Sequence, residues 1–153
     1  MSRLAARHSV ATEGLTNSIN KKIVAIFGNF DYLCWKESVR YFETRFLKEA
    51  DEFVAKLDKK SAKKVFYNID LAEQTNDPKL FKKLNKEIWE FRSLYLGNQN
   101  RLLAFWDKTE TTATLVLATH GFIKKGDKVP ISEIEKAERI REEYFLIKKN
   151  SKK

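Results

Sequence analysis

Apolar and polar positions change their rhythm several times along this chain, and each change marks an element. Phe46, Ala50, Phe53, Val54 and Leu57 return every three or four positions, with Lys48, Glu49, Asp51, Glu52 and Lys56 opposite them. That period predicts an amphipathic helix. Asp58-Lys59-Lys60 interrupts it, Ser61 is placed to cap a second helix, and Ala62, Val65, Phe66, Ile69 and Ala72 resume helical spacing. Asn76-Asp77-Pro78 signals a turn, and Lys79 to Lys86 reads as a short basic link. From Glu87 to Lys125 the rhythm becomes that of strands. Trp89 and Phe91 alternate with Glu90 and Arg92, and Ser93 to Tyr95 follow. Leu96-Gly97-Asn98-Gln99-Asn100 supplies turn residues, and Arg101 to Trp106 is a second apolar run. Asp107 to Thr111 turns the chain again, and Thr112 to Thr119 is a third run. Short runs bounded by Gly, Asn, Asp and Thr predict antiparallel hairpins.

The two ends complete the pattern. Val39 to Arg45 predicts a first strand. After Gly126-Asp127-Lys128, Ser132-x-x-Glu135 has the spacing of a capping box. Ile134, Ala137, Ile140, Arg141, Tyr144 and Ile147 then line one broad helical face, with Lys148 and Lys149 in the last turn. The order is βααβββα, an α+β domain of two layers in which helices pack on one face of an antiparallel sheet. Residues 39–148 form that domain, and 149–153 are a basic tail. Residues 1–38 are an extension without sustained apolar period before Ile23, and Ile23 to Trp35 reads as an edge strand or an arm.

Composition narrows the class. The chain has 153 residues, 42% apolar and 33% charged, which suits one globular domain. Thirty Lys and Arg against 21 Asp and Glu give a net charge of +9. That surplus points to a polyanion, with nucleic acid ahead of an anionic membrane surface. A generic solvated basic surface is the plainer reading. One cysteine, Cys34, allows no disulfide within the chain and no cysteine zinc cluster. No stretch reads as a transmembrane or secretory segment, so a cytoplasmic location is expected.

Chemistry concentrates where cations interrupt the strand runs. Arg92 sits in the first of the three strands, Arg101 opens the second, His120 closes the third, and Lys124 and Lys125 follow. Closely linked strands bring such residues to one region of a sheet, where they suit a phosphodiester. Cleaving a phosphodiester without a metal or cofactor needs a base for the attacking hydroxyl, cations for the phosphorane and an acid for the departing oxygen. His120 suits a proton role, with an unperturbed imidazole pKa near ~6.5. Arg101 suits phosphate stabilisation through its planar fork, or else pairs with Glu90 or Asp107. Lys125 and Lys128 are placed to hold RNA backbone, and Tyr95 and Trp106 are placed to stack on bases. Core packing is the alternative for Trp106 and for Tyr144.

Residues 39–147 in this order resemble the RelE/ParE superfamily of toxins from toxin–antitoxin pairs, within it the phage-derived branch of HigB-like toxins. Four stretches carry the resemblance: E-F-R-S-L-Y at 90–95, N-R-L-L-A-F-W at 100–106, H-G-F-I-K-K at 120–125 and P-I-S-E-I-E-K-A at 130–137. It implies an endoribonuclease that cleaves mRNA in the ribosome A site. It also implies a small helix-turn-helix antitoxin as partner. Arg92 and Arg101 match the family's basic positions, and His120, Lys124 and Lys125 match its H-G-F-x-K-K segment. RelE itself carries a catalytic tyrosine in its C-terminal tail. This chain has an apolar-faced helix there, which leaves the proton-transfer residue open.

Overall fold

The computed structural model describes residues 40–109 and 115–153. The expected extension 1–38, with Ile23 to Trp35 and Cys34, lies outside the described residues, as do Val39 and residues 112–114 of the third expected run. The described elements are β1 (Glu43–Phe46), α1 (Lys48–Lys56), α2 (Lys59–Thr75), β2 (Phe81–Lys83), β3 (Trp89–Tyr95), β4 (Asn98–Asp107), β5 (Leu115–Lys124) and α3 (Ile131–Ser151). The α+β class stands. Two details of the expected order do not. Part of the basic link forms β2, a three-residue strand that pairs with β3 through Phe81 opposite Phe91. In addition, α3 runs through most of the expected tail.

The sheet has the order β1-β5-β4-β3-β2. The expectation of a purely antiparallel sheet is corrected at its edge, where β1 runs parallel to β5, Glu43 opposite Leu115 and Phe46 opposite Ala118. Two helices and three strands separate these partners in sequence, so no local turn signal announces the pairing. The expectation of helices on one face is corrected too. On one face, α2 sets Val65 and Asn68 against Phe91, Ser93, Asn100 and Leu102. On the other, Leu103, Phe105 and Leu117 form a core with Ala137 of α3, and Phe105 stacks 5.4 Å from Tyr144 and 5.6 Å from Phe145. Alternation along β4 explains both: Leu102 and Leu103 are equally buried but point oppositely, so each face needs its own cover.

Glycine positions test this packing. Gly121, opposite Leu102 on β5, leaves no room for a Cβ, because the Phe53 ring of α1 lies against it. Gly121→Ala is expected to destabilise the fold by about 1–3 kcal/mol, the cost of overpacking a filled core. A urea unfolding midpoint unchanged from the parent would contradict this contact.

Helix starts differ from the sequence expectation by residue. In α2 the cap is Asp58 and not Ser61; its carboxylate accepts from Ser61 N at 2.9 Å and from Ser61 Oγ at 2.6 Å. In α3 the cap position is Pro130, and no side chain caps it, so the Ser132–Glu135 box does not form. The β3–β4 connection is tighter than expected. Tyr95 pairs with Asn98, leaving Leu96 and Gly97 as a two-residue turn with φ of 48° and 79°. Positive φ at both residues matches the twist of a hairpin, but Leu lacks the short polar side chain by which Asn hydrogen-bonds locally and tolerates that region. Leu96→Asn is expected to stabilise the protein by about 1 kcal/mol, read from thermal unfolding. A lowered midpoint would refute that strain.

Candidate nucleic-acid interface

Three registers place the site. On the α3 face, Leu94, Gln99 and Lys124 form one row across β3, β4 and β5. Arg92, Arg101 and Phe122 form the next, and Glu90, Leu103 and His120 the third. A bulge makes the third row possible. Leu103 pairs with His120 but Ala104 pairs with Ala118, so Thr119 is the extra residue. Leu117 and His120, three apart, then share the α3 face. α3 covers the sheet from this row onward, and the cations occupy the first two rows.

Glu90 ties the arginines together. Its Oε1 lies 3.5 Å from Arg92 Nε and its Oε2 lies 3.6 Å from Arg101 Nε. Both distances are too long for good hydrogen bonds, and Glu90 Oε2 and Arg101 Nε have no hydrogen-bond partner. Arg101 instead donates from Nη2 to Gln99 Oε1 at 2.9 Å and from Nη1 to Asn100 O at 3.3 Å. Burial lowers the Arg101 pKa from its ordinary value; Glu90 opposes that shift and Arg92 adds to it. The two arginines are not equally available. The Arg92 side chain is 34% exposed and that of Arg101 5%. The expected pairing of Arg101 with Glu90 is therefore present, while Asp107 turns to Tyr144 and Lys148.

His120 is engaged on both sides of its ring. Nε2 lies 2.6 Å from Glu133 Oε2 in the first turn of α3, and Nδ1 lies 3.0 Å from Thr119 Oγ1. The residue is 3% exposed. Burial lowers its pKa, while the Glu133 carboxylate pulls the other way. His120 thus fixes the start of α3 against the sheet. Its reach to a substrate depends on Glu133 letting go.

The remaining expected residues divide. Lys124 is half-buried on the arginine face; Lys125 and Lys128 are exposed at and beyond the end of β5. Tyr95 is corrected: three positions from Arg92, it takes the opposite face by strand alternation and cannot stack beside the arginines. Tyr144 packs on Phe105 and donates to Asp107, as a core residue. Two partners were missed in the sequence. Gln99 lies two residues from Arg101 on β4, a signal that alternation alone could have supplied. Glu133 carries no such signal, because only the fold of α3 brings it to His120.

Among the described residues no helix is long and apolar enough to cross a membrane. No curated protein matches the chain. A model of the family described as phage derived protein Gp49-like (DUF891) matches residues 52–142, from within α1 to within α3. That span holds both arginines, Glu90, His120, Glu133 and Lys124. It covers more than half of the 153 residues. The chain belongs to the Gp49-like family of phage-derived, RelE/toxin-like proteins.

Proposed function

We propose that this protein is the toxin of a HigB-like toxin–antitoxin pair and an endoribonuclease that cleaves mRNA on the ribosome. The observation that carries this reading is the cross-strand pair Arg92–Arg101 with Lys124 one row away on the same face, balanced in that grid by Glu90 alone among the acidic residues. Two guanidinium groups and an ammonium on one small patch suit a phosphate whose charge grows in the transition state. Arg92, the more exposed, contacts the non-bridging oxygens. Arg101, its cross-strand neighbour, is held by Gln99, and Glu90 lies between the two guanidinium groups. The 2′-oxygen attacks phosphorus as its proton leaves to a base, and the bond to the 5′-oxygen breaks as that oxygen takes a proton. Lys124, one row from Arg101 on the same face, is the candidate for one of these transfers. His120 serves only after its Nε2 leaves Glu133.

The partners in this reading are mRNA in the ribosome A site and a helix-turn-helix antitoxin, and the location is cytoplasmic. Expression in bacteria tests it: mapped 5′ ends inside translated codons support the nuclease. The engagement of both His120 nitrogens favours a second reading, a ParE-like toxin that binds a protein target such as gyrase, or a non-catalytic RNA-binding module. Growth arrest with intact messages and altered DNA supercoiling would select the gyrase form.

A further inference from the structure

The sheet face opposite Arg92 carries a feature that phosphate chemistry at the arginines does not use. Lys83 pairs with Trp89 across β2 and β3, and Trp89 pairs with Ala104, which brings Trp106 diagonal to it. The two indoles meet edge to face, 5.7 Å between centroids at 78°. Lys83 Nζ lies 6.0 Å from the Trp89 ring centroid, and Lys108 Nζ lies 5.6 Å from that of Trp106. The surface therefore reads cation, indole, indole, cation across three strands. Phe42 and Phe81 support the rings, at 5.2 Å from Trp106 and 5.0 Å from Trp89. Both tryptophans are nonetheless only half-buried, and Lys79, Lys82, Lys83, Lys86 and Lys108 are exposed.

Lysines on an edge strand also keep sheets from pairing edge to edge. That role accounts for Lys82 and Lys83. It does not account for two partly open indoles beside them, nor for Lys108, which comes from the end of β4. We propose that the Lys83–Trp89–Trp106–Lys108 row binds a single-stranded segment of RNA. Bases stack on the indoles and the ammonium groups take the flanking phosphates, which is how sequence-tolerant single-strand binding is built. An acidic polypeptide would engage the lysines but would leave the indoles without a role. The proposal concerns binding alone, on the opposite side of the sheet from Arg92, so it stands or falls separately from cleavage.

The test uses the full chain in a Trp35→Phe background, so that Trp89 and Trp106 alone report. A 2′-O-methylated RNA of about ten nucleotides is titrated against tryptophan emission at several salt concentrations. Lys83→Ala with Lys108→Ala removes both cations without touching the core. The expected result is quenching in the parent. In the double variant affinity falls about tenfold, and the salt slope drops by about 1.4, roughly 0.7 for each single-strand phosphate left without its ammonium. Binding without any change in emission would overturn the proposal. So would equal affinity and slope in the double variant, or a loss of polyglutamate binding with RNA binding intact.

Discussion

Replacing Arg92 by Ala is expected to lower the rate of RNA cleavage roughly 10²–10³-fold, the usual cost of losing one preorganised donor to a developing phosphate charge. Arg92 is the cleaner probe because its side chain is partly solvated, and its only described carboxylate neighbour, Glu90, keeps Arg101. The folded state should change little, so a parallel unfolding curve separates chemistry from stability. Arg101→Ala removes the same type of charge at a buried position. It leaves Glu90 facing Arg92 alone and is expected to lower both rate and stability. Measured on purified protein, a rate within about threefold of the parent for Arg92→Ala would remove this residue from the site.

The largest effect on stability is expected at Asp107. It is 0% exposed, and four groups donate to it: Lys148 Nζ at 2.6 Å, Tyr144 Oη at 2.7 Å, Thr109 Oγ1 at 2.6 Å and Thr109 N at 3.0 Å. Burial alone would raise its pKa, but Lys148, Thr109 and Tyr144 together hold it well below the ordinary 3.8. The same contact, with burial as the larger cause, pushes the Tyr144 hydroxyl up to about 12. Asp107→Ala strands the ammonium and hydroxyl and is expected to cost about 3–5 kcal/mol. For a chain of this size that is a fall in Tm of roughly 10 °C. A loss below about 1 kcal/mol would contradict the network.

The pH dependence has a definite sign. The folded protein holds the Asp107 proton less readily than the unfolded chain does, so stability rises with pH through this group. Its contribution is full above about pH 4 and is lost as pH falls from the ordinary 3.8 toward the folded value. The Asp107→Ala protein should lose less stability than the parent between pH 4 and pH 2. Together with Glu133 on His120, this network pins α3 to the sheet at both ends.

Much of this was legible in the chain. The 3.6-residue period of Ala50, Phe53 and Val54, and of Ala62, Val65 and Phe66, locates α1 and α2 because each buries one stripe. Alternation around Glu90 and Arg92 locates β3, and counting by two from Arg92 would also have excluded Tyr95 from the arginine face. What was not legible depends on contacts distant in sequence. The parallel β1–β5 edge leaves no local mark. Phe46 fits a helical stripe, yet it ends β1 and stacks on Phe66 at 5.7 Å. The bulge at Thr119 shifts His120 onto the α3 face, and no turn residue signals it. His120 was legible as a residue of interest, but its partner Glu133 depends on where α3 lands.

On the proposed reading, the face bearing Arg92, Arg101 and Lys124 breaks RNA by attack of the neighbouring 2′-hydroxyl. Ribosomes programmed with a defined message and incubated with the purified protein test it directly, by chemical analysis of the new RNA ends. The expected fragments end in a 2′,3′-cyclic phosphate and begin with a 5′-hydroxyl, and they are absent when Arg92→Ala replaces the parent. Messages that stay intact, or that end in a 3′-hydroxyl opposite a 5′-phosphate, would contradict it.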